Sequence, residues 1–456
     1  MIEALRNAFR LPDLRNKLLI TGLILVVYQF AAHVPTVGVD RLALQALIEG
    51  NAGGLVGVLN LLSGGAVQNF SVIANGVYPY ITASIIFQLL VPIIPQLEQI
   101  QREPGGKEKI ETYTYYLAIP MAVLQAVSQI QIFNSLSTQG SIIPGFGSDF
   151  LLTATVLVTM TAGTMFAIWL GQLITEQGIG NGLSIIIFAG IVARAPQNLV
   201  QLLTGSTNAG YHLLMFIVIT VVSIVGIIII QEGVRRIPVQ YGKRVRGRKQ
   251  YGGASTHIPL KVNPVGMIPL IFAQSIITFP ALLVNLFPEG PVRTYITQTF
   301  GQQQGLAYWL TFFLLVVGFT FFYSDVMVGN QNLAENLQRN GGFIPGIRPG
   351  KRTAEYIDTI LARITLVGAI YLAIVALLPQ FLISGFKVAP IPFIGEWLDR
   401  YTPQFITQGL GVTFYFGGTS LLIIVVVTMD FWAQVQSYVM SQQYESLLKK
   451  ANFKAG

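Results

Sequence analysis

The feature that most constrains this chain is a series of long apolar segments with almost no charge in their middles. A membrane-spanning helix needs about 20 consecutive, mainly apolar residues. By that measure we predict ten crossings, at about 18–34, 71–94, 113–132, 150–173, 182–203, 211–230, 265–287, 306–328, 360–381 and 408–429. Only 11% of the 456 residues are charged, against about 25% in a soluble domain. The sequence therefore predicts an all-α polytopic membrane protein.

Lys and Arg are distributed unevenly between the two sides of this predicted membrane. With the N-terminus in the cytoplasm, 23 of the 28 Lys and Arg residues fall in cytoplasmic segments and 5 in outer ones. Such an excess marks the cytoplasmic side of membrane proteins. We therefore predict that both termini are cytoplasmic. Residues 1–17 form a basic amphipathic segment with no small-residue cleavage site after the first apolar run, so no cleavable signal is expected.

The predicted spans lack the residues on which membrane catalysis and ion coupling depend. Pumps and ion-coupled transporters place charged or titratable groups inside the membrane, whereas Glu176, Glu232, Asp325 and Asp430 all fall near span ends. The chain has no cysteine, three scattered histidines, and no HExxH, GxxxxGK[ST] or GxSxG motif. We predict no enzyme activity, no catalytic or metal-binding residue and no cofactor. The remaining function for such a protein is passage.

Aliphatic side chains recur at helical spacing beside two breaks in the apolar runs. Val77 and Ile81 stand four residues apart in NGVYPYITASIIFQLL, where Pro79 interrupts the start of the second crossing. Leu183 and Ile187 repeat the spacing directly after the glycine-rich TEQGIGNG. Two interpretations stay open at this point: lipid-facing packing, or a hydrophobic constriction that closes a water-filled path by dewetting.

Two crossings carry polar stripes, Thr82, Ser84 and Gln88 in the second and Gln274, Ser275 and Thr278 in the seventh. Polar side chains in membrane helices commonly bond across to a neighbour, at about 0.6 kcal/mol per contact. Such weak bonds allow either a permanent seam between the helices or a seam that can open. The residues alone favour the permanent seam.

Residues 53–70, GGLVGVLNLLSGGAVQNF, are apolar but too short to span the membrane, and they predict a re-entrant half-helix. Irregular backbone lies at membrane depth only where protein or an aqueous cavity shields it.

The basic loops 231–264 and 329–363 mix Arg with Gly and Pro, so Arg348 in PGIRPG is predicted at the tip of a tight turn. A guanidinium held in this way suits docking to carboxylates or phosphates. Part of the positive charge in these loops is explained by its role in setting the orientation of the chain in the membrane.

At these motifs the chain resembles the SecY family, the central subunits of the bacterial protein translocase. The matching segments occur in the family's order and cover nearly the whole chain: GVYPYITASIIFQLL, ITEQGIGNGLSIIIFAGI, STHIPLKVN, MIPLIFAQSIITFPA, RNGGFIPGIRPGKRTAEYID and MDFWAQVQSYVMSQQYESLLKK. Several long motifs in order make the resemblance specific. The outer loops after the third, seventh and ninth crossings add nothing to it.

The resemblance implies a fold of two pseudo-symmetric five-helix halves around a central pore, with a re-entrant plug half-helix. The implied organisation is a cytoplasmic segment 1–17, an N-terminal half 18–205 with the plug at about 55–70, a C-terminal half 206–430, and a cytoplasmic tail 431–456.

The resemblance also implies the site residues. The pore ring would be Val77, Ile81, Leu183, Ile187, Ile271 and Ile423, where two positions that are often isoleucine in the family are Val77 and Leu183. The plug would include Leu62, Ser63, Gly64 and Gly65. The lateral gate to lipid would include Thr82, Ser84, Gln88, Gln274, Ser275 and Phe279. The contacts with a motor or ribosome would be Arg248, Lys249 and Arg348.

The family's partners follow in the same way. They are the small membrane subunits SecE and SecG, the SecA ATPase, the ribosome, signal sequences and nascent polypeptides, the lipid bilayer, and the accessory proteins SecDF and YidC. The implied location is the bacterial inner membrane. Two other functions remain as alternatives: a secondary transporter, which would take up a small solute saturably, and a membrane-anchored scaffold, which would conduct no ions.

Overall fold

A computed structural model describes residues 11–50, 63, 66–137, 141–204, 209–241, 244–246, 249–251, 255–284, 290–296, 299–300, 306–329, 333–384 and 418–453. The helices are α1 Pro12–Ala31, α2 Arg41–Gly50, α3 Tyr78–Leu90, α4 Pro95–Arg102, α5 Gly106–Leu136, α6 Phe150–Gln177, α7 Gly182–Thr204, α8 Ala209–Glu232, α9 Ile268–Leu283, α10 Pro291–Ile296, α11 Leu306–Gly329, α12 Leu333–Arg339, α13 Lys351–Ser384 and α14 Gly418–Phe453. A short 3-10 helix covers Ala66–Asn69.

Half of these fourteen α-helices are long and apolar enough to cross a membrane. In the described part of the chain, seven helices meet that criterion: α1, α5, α6, α8, α11, α13 and α14. The pair α3 and α4, bent by 102° at a short break, makes an eighth candidate, and α7 and α9 contain shorter apolar segments, 182–193 and 268–281. Each predicted crossing therefore has an apolar helix in its place. The predicted helical membrane fold agrees with this, and the count of ten stays a prediction.

The chain divides into two compact units that do not follow sequence order. One unit holds Met1–Gln201, Ser275–Gln304 and Val427–Gly456, and the other holds Leu202–Gln274 and Gly305–Val426. Helix α9 contributes its first seven residues to the second unit and the rest to the first. The predicted halves, 18–205 and 206–430, stay a prediction.

In the first unit, backbone segments approach closely where the sequence places glycine. A Cβ atom at Gly163 of α6 would lie 2.0 Å from the Val72 carbonyl oxygen, and one at Gly182 would lie 1.8 Å from the Gly171 carbonyl oxygen. Small residues let membrane helices pack this closely. These two contacts fix the turn before α3 and the first turn of α7 against α6.

The second unit contains a small sheet that the sequence did not predict. Strand β1, Val234–Tyr241, pairs antiparallel with β4, Ser255–Lys261, and with β5, Gly342–Phe343. A separate hairpin joins β2, Arg244–Arg246, to β3, Lys249–Tyr251. The two basic loops are thus parts of one sheet rather than independent segments.

An apolar cluster on this sheet holds the two loops to α13. Its buried members come from β1, β4, α12, the turn after β5, and α13, namely Ile237, Val239, Leu260, Leu337, Ile344, Ile357 and Leu361. On β1, Ile237 and Val239 are buried, whereas Arg236, Pro238 and Gln240 are exposed, as expected for a strand with one buried face. Burying these side chains stabilises the fold of loops whose composition is strongly basic.

Candidate functional site

The start of α3 is broken as its sequence predicts. Gly76 has a positive φ of 56°, and Pro79 lies in the first turn of the helix, where its missing N–H costs no hydrogen bond. The helix begins at Tyr78 instead of at the predicted edge of the crossing, residue 71, because residues 72–77 form turns. Val77 lies just before the helix, and its carbonyl oxygen accepts the first helical bond from the Ile81 amide at 3.1 Å.

Most of the side chains predicted for the pore ring are buried within the protein. In the first unit, Val77 is 0%, Ile81 7% and Ile187 1% exposed, and the half-buried Leu183 packs on Gly171 of α6. In the second unit, Ile271 and Ile423 are also buried. Five of the six side chains are therefore buried in protein instead of facing lipid, which is what a sealed constriction requires. Their assembly into one ring stays a prediction.

The polar stripe of α3 forms its hydrogen bonds within its own helix. The Thr82 hydroxyl donates to the Tyr78 carbonyl oxygen at 3.1 Å, and the Gln88 side-chain nitrogen donates to the Ser84 hydroxyl at 2.9 Å. These bonds persist wherever the helix moves. Among the residues that the structure describes, the stripe of α3 thus shows no hydrogen bond to a neighbouring helix that would make a permanent seam.

The predicted gate residues of α9 lie in different surroundings. In the second unit, the Gln274 side chain is 4% exposed and hydrogen-bonds to the Tyr308 hydroxyl of α11. In the first unit, Ser275 is fully buried, and its carbonyl oxygen accepts a bond from the Tyr78 hydroxyl of α3 at 2.8 Å. Phe279 lines a narrow pocket together with Tyr78 and residues of α5. The sequence did not predict a role for Tyr78, although a tyrosine in an apolar segment needs a hydrogen-bond partner.

The predicted plug is described only in part. Leu62, Gly64 and Gly65 lie outside the described residues, whereas Ser63 is buried and its carbonyl oxygen accepts a 2.6 Å bond from the Tyr28 hydroxyl of α1. The Ser63 hydroxyl accepts the Val67 amide at 3.2 Å. The first bond ties the predicted plug segment to the first helix, and the second lies within the segment.

The predicted docking residues lie in or beside the sheet region. Arg348 is exposed on the turn between β5 and α13, flanked by Gly346 with φ 83° and Gly350 with φ 102°. Its carbonyl oxygen accepts the Thr353 hydroxyl at 2.9 Å, so the turn is fixed to the first turn of α13. Lys249 begins β3, and Arg248 lies outside the described residues.

No metal centre accompanies these features within the part of the chain that the structure describes. There, no group of three or more His, Asp or Glu side chains could hold a metal ion. The candidate site consists of buried aliphatic side chains, a few hydrogen bonds between membrane helices, and one exposed basic surface. Such an arrangement can close, open and bind, but it offers no nucleophile held beside a base.

Comparison with known proteins identifies the family. The family model described as SecY matches residues 71–432. The protein translocase subunit SecY of Escherichia coli strain K12 is 40% identical over 452 residues, covering 97% of this chain and 96% of that protein. The SecY subunit of Pseudomonas aeruginosa is 41% identical over 460 residues, covering 99% and 97%. The chain belongs to the SecY family.

Solved structures show that this SecY-family chain also has the family's fold. A structure described as a protein-conducting channel superimposes with a TM-score of 0.58 at 17% identity, covering 93% of this chain and 92% of that one. Sec61 in a canine ribosome–channel complex gives 0.56 at 15% identity, with the same coverage. The predicted family, helical membrane fold and protein-channel function are confirmed. Membership in a family of translocase channel subunits also confirms that the chain is not an enzyme.

Proposed function

We propose that this SecY-family chain passes unfolded secretory polypeptides across the bacterial inner membrane and releases membrane-protein helices sideways into lipid. The observation that carries the proposal is identity of 40% with translocase subunits along nearly the whole chain. The protein's own geometry supports it, because the spans hold buried aliphatic residues beside broken helices. The described residues offer no metal cluster that would favour a different chemistry.

The proposed pore ring of Val77, Ile81, Leu183, Ile187, Ile271 and Ile423 seals the resting channel. Aliphatic side chains in a narrow passage exclude water and therefore ions, because ions cross only with their hydration. The same side chains form no hydrogen bonds that a moving polypeptide would have to break. The ring thus holds back ions at rest and yields to chains of any sequence.

The proposed plug closes the outer side of this ring, and the proposed lateral gate opens between α3 and α9. The bond from Tyr28 to Ser63 supports the first assignment, because it attaches the plug segment to α1 through a hydrogen bond that can break and form again. The self-contained polar stripe of α3 supports the second, since its bonds survive when the neighbouring helix moves away. Thr82, Ser84, Gln88, Gln274, Ser275 and Phe279 would border this exit.

We further propose that both termini and the basic loops face the cytoplasm, where the chain binds its motor. The excess of Lys and Arg in those segments supports this orientation. Known relatives assemble with ribosomes, as in the canine complex and in the yeast Ssh1 complex bound to the 80S ribosome. SecE and SecG would complete the channel, and SecA or the ribosome would dock on the sheet region at Arg248, Lys249 and Arg348.

The proposed function is tested with the chain reconstituted in lipid together with its small subunits. Deleting residues 55–70 should raise the ion conductance of the resting channel strongly, because the outer closure is lost while the pore remains. A scaffold would give no conductance in either form. Saturable uptake of a small solute by the chain alone would favour a secondary transporter and contradict the proposal.

Reversing the charge at Arg348 should abolish most motor-driven export. The Arg348→Glu variant places a carboxylate at the exposed tip of a rigid turn, where it repels an acidic partner surface. We expect at least about a ten-fold lower rate of translocation in vitro, since like charges in an interface cost more than about 1.4 kcal/mol. The amount of the variant inserted in the membrane should stay normal. Arg339→Glu is the matched control, because that exposed Arg already pairs with Glu335 on α12. A wild-type rate for Arg348→Glu would contradict the docking assignment.

A further inference from the structure

The chain contains three Asn-Gly pairs, at Asn75–Gly76, Asn181–Gly182 and Asn340–Gly341. Asparagine before glycine is the sequence in which a protein backbone most readily modifies itself, because the glycine nitrogen can attack the side-chain amide without a Cβ atom in the way. The attack closes a five-membered succinimide ring. Whether it occurs depends on how firmly the fold holds the asparagine side chain and the glycine nitrogen.

Two of the pairs are held by the fold. Asn75 is 1% exposed, and its side-chain nitrogen donates to the Ala122 carbonyl oxygen of α5 at 3.1 Å. Asn181 precedes α7, where its side-chain oxygen accepts the Ser184 amide at 3.2 Å. The Gly182 amide donates to a threonine hydroxyl of α6 at 2.9 Å. At both pairs, ring closure would break hydrogen bonds that the folded chain makes.

The third pair lies at the surface, in the turn that joins α12 to β5. Asn340 is exposed, and among the residues that the structure describes its side chain forms no hydrogen bond. Gly341 has a positive φ of 68°, and a Cβ atom there would meet no described atom within 4 Å. The Gly341 amide donates to the Gln338 carbonyl oxygen at 3.1 Å, at the open end of a seven-residue helix. Such ends fray, so this nitrogen becomes available for attack.

The modification needs only water. The Gly341 nitrogen forms a bond to the side-chain carbonyl carbon of Asn340, the bond from that carbon to the side-chain nitrogen breaks, and the proton of the glycine amide leaves with the departing nitrogen as ammonia. Water then opens the succinimide. Opening at the former side-chain carbonyl gives aspartate, whereas opening at the backbone carbonyl gives isoaspartate, in which the main chain runs through Cβ and is one atom longer. No electron is transferred, and each product carries a new carboxylate.

The longer main chain falls beside a segment that has no room to move. Gly342, the first residue of β5, is buried and pairs with Tyr241 of β1. A Cβ atom at Gly342 would lie 3.0 Å from side-chain atoms of both Tyr241 and Leu337. Ile344 is 3% exposed in the apolar cluster of the sheet. The extra atom two residues before Gly342 therefore displaces β5 from β1 or α12 from the cluster, and with them the turn that carries Arg348.

We propose that Asn340–Gly341 is a site of spontaneous covalent modification, and that conversion of Asn340 to isoaspartate detaches the docking turn from the sheet. The site itself follows from the exposure and hydrogen bonding of the three Asn-Gly pairs and assumes nothing about function. The loss of docking rests on the proposed function, since it assumes that a motor binds at Arg348. Older molecules of the protein thereby lose motor-driven export while their membrane helices stay intact.

The site is tested by mass spectrometry on the complete translocon, purified, returned to lipid and kept at growth temperature for several days. Proteolytic peptides report the fraction of each asparagine converted to acid, and labelling by an isoaspartyl methyltransferase reports isoaspartate. We expect the converted fraction at Asn340 to exceed those at Asn75 and Asn181 at least about ten-fold. That factor corresponds to about 1.4 kcal/mol, the order of the hydrogen bonds that ring closure breaks at the other two pairs. Equal fractions at the three asparagines overturn the site.

The effect on docking is tested by motor-driven export in vitro with fresh and aged translocon. Asn340→Gln keeps an amide but would have to close a six-membered ring, so it converts far more slowly. Aged wild-type protein should lose export rate in proportion to its isoaspartate content, whereas aged Asn340→Gln should keep the rate of fresh protein. Treating aged wild-type protein with the methyltransferase, which returns part of the isoaspartate to aspartate, should restore part of the rate.

Asn340→Glu is the matched control for charge, because it adds a carboxylate without lengthening the main chain. Its fresh protein should export at the wild-type rate, as expected for the neighbouring Arg339→Glu. A low rate for fresh Asn340→Glu would assign the effect to charge and overturn the detachment of the docking turn. An aged wild-type rate equal to that of aged Asn340→Gln, with isoaspartate present, overturns it as well.

Failure of this inference and failure of the proposed function are distinguishable. Either of the last two results leaves the proposed function standing, because fresh wild-type protein still translocates. If fresh wild-type protein exports nothing while the converted fractions follow the expected order, the proposed function fails and the modification site at Asn340 stands.

Discussion

Replacing Ile423 by asparagine should make the resting channel leak ions and export proteins with defective signal sequences. Ile423 is 0% exposed in the second unit, and the proposed ring uses it as part of the dry constriction. An amide in that position offers hydrogen bonds to water, which lowers the free-energy cost of wetting the passage. Transfer of an amide out of water costs several kcal/mol, so the side chain will retain water wherever the passage admits it.

We expect at least about a ten-fold increase in resting conductance for Ile423→Asn in planar bilayers, corresponding to about 1.4 kcal/mol in the balance between dry and wet states. Ile81→Asn, in the first unit, should act in the same direction because the proposed ring includes both residues. Ile423→Val is the control, since it shortens the side chain but keeps it apolar. Conductance as low as that of the wild type in both asparagine variants would remove these residues from the seal.

A single methyl group at Gly182 should destabilise the protein. Gly182 opens α7, and a Cβ atom there would lie 1.8 Å from the Gly171 carbonyl oxygen and 2.9 Å from Ile174 of α6. Because backbone cannot move aside as the end of a flexible side chain can, Gly182→Ala must push α7 away from α6. Overpacking of this kind costs about 3 kcal/mol, and it also displaces Leu183, the next residue and a member of the proposed ring.

The comparison with Gly22→Ala isolates the steric effect. Gly22 lies within α1, and a Cβ atom there would meet nothing within 4 Å. Alanine also favours helix over glycine by about 1 kcal/mol, so this variant should be as stable as the wild type or more so. Thermal unfolding of the purified protein in detergent, with the amount in the membrane as a second measure, distinguishes the two. Equal stability of both alanine variants would show that α6 and α7 can separate freely.

Several features of the fold could be predicted because they depend on residues close together in sequence. The break before α3 follows from Gly76 and Pro79, whose backbone preferences act locally, and the structure places turns there. The ends of the helices were predicted less precisely, because these predictions also used only local composition. Helix α13 extends over Lys351–Ser384, whereas the apolar pattern predicted 360–381, because composition marks only the part of a helix that lies in lipid.

The sheet and the α3–α9 bond were not predictable in this way. Strand β1 contains Pro238 and two arginines, which are typical of a loop. It becomes a strand because β4 and β5 pair with its two edges and the apolar side chains of α12 and α13 bury one of its faces. The sequence did not indicate that the polar side chains of α3 would form their hydrogen bonds within the same helix. The sequence also did not indicate which group would accept the hydrogen bond of the Tyr78 hydroxyl.

The sequence by itself determined that this chain crosses the membrane many times, carries no catalytic machinery, and belongs with protein-conducting channels. Those conclusions rest on composition, spacing and motif order, which are properties of the chain before it folds. Only the tertiary structure decided which groups meet. A tyrosine and a carbonyl 197 positions apart share a bond because helices packed side by side, and the free energy of that packing depends on the whole fold instead of any one segment.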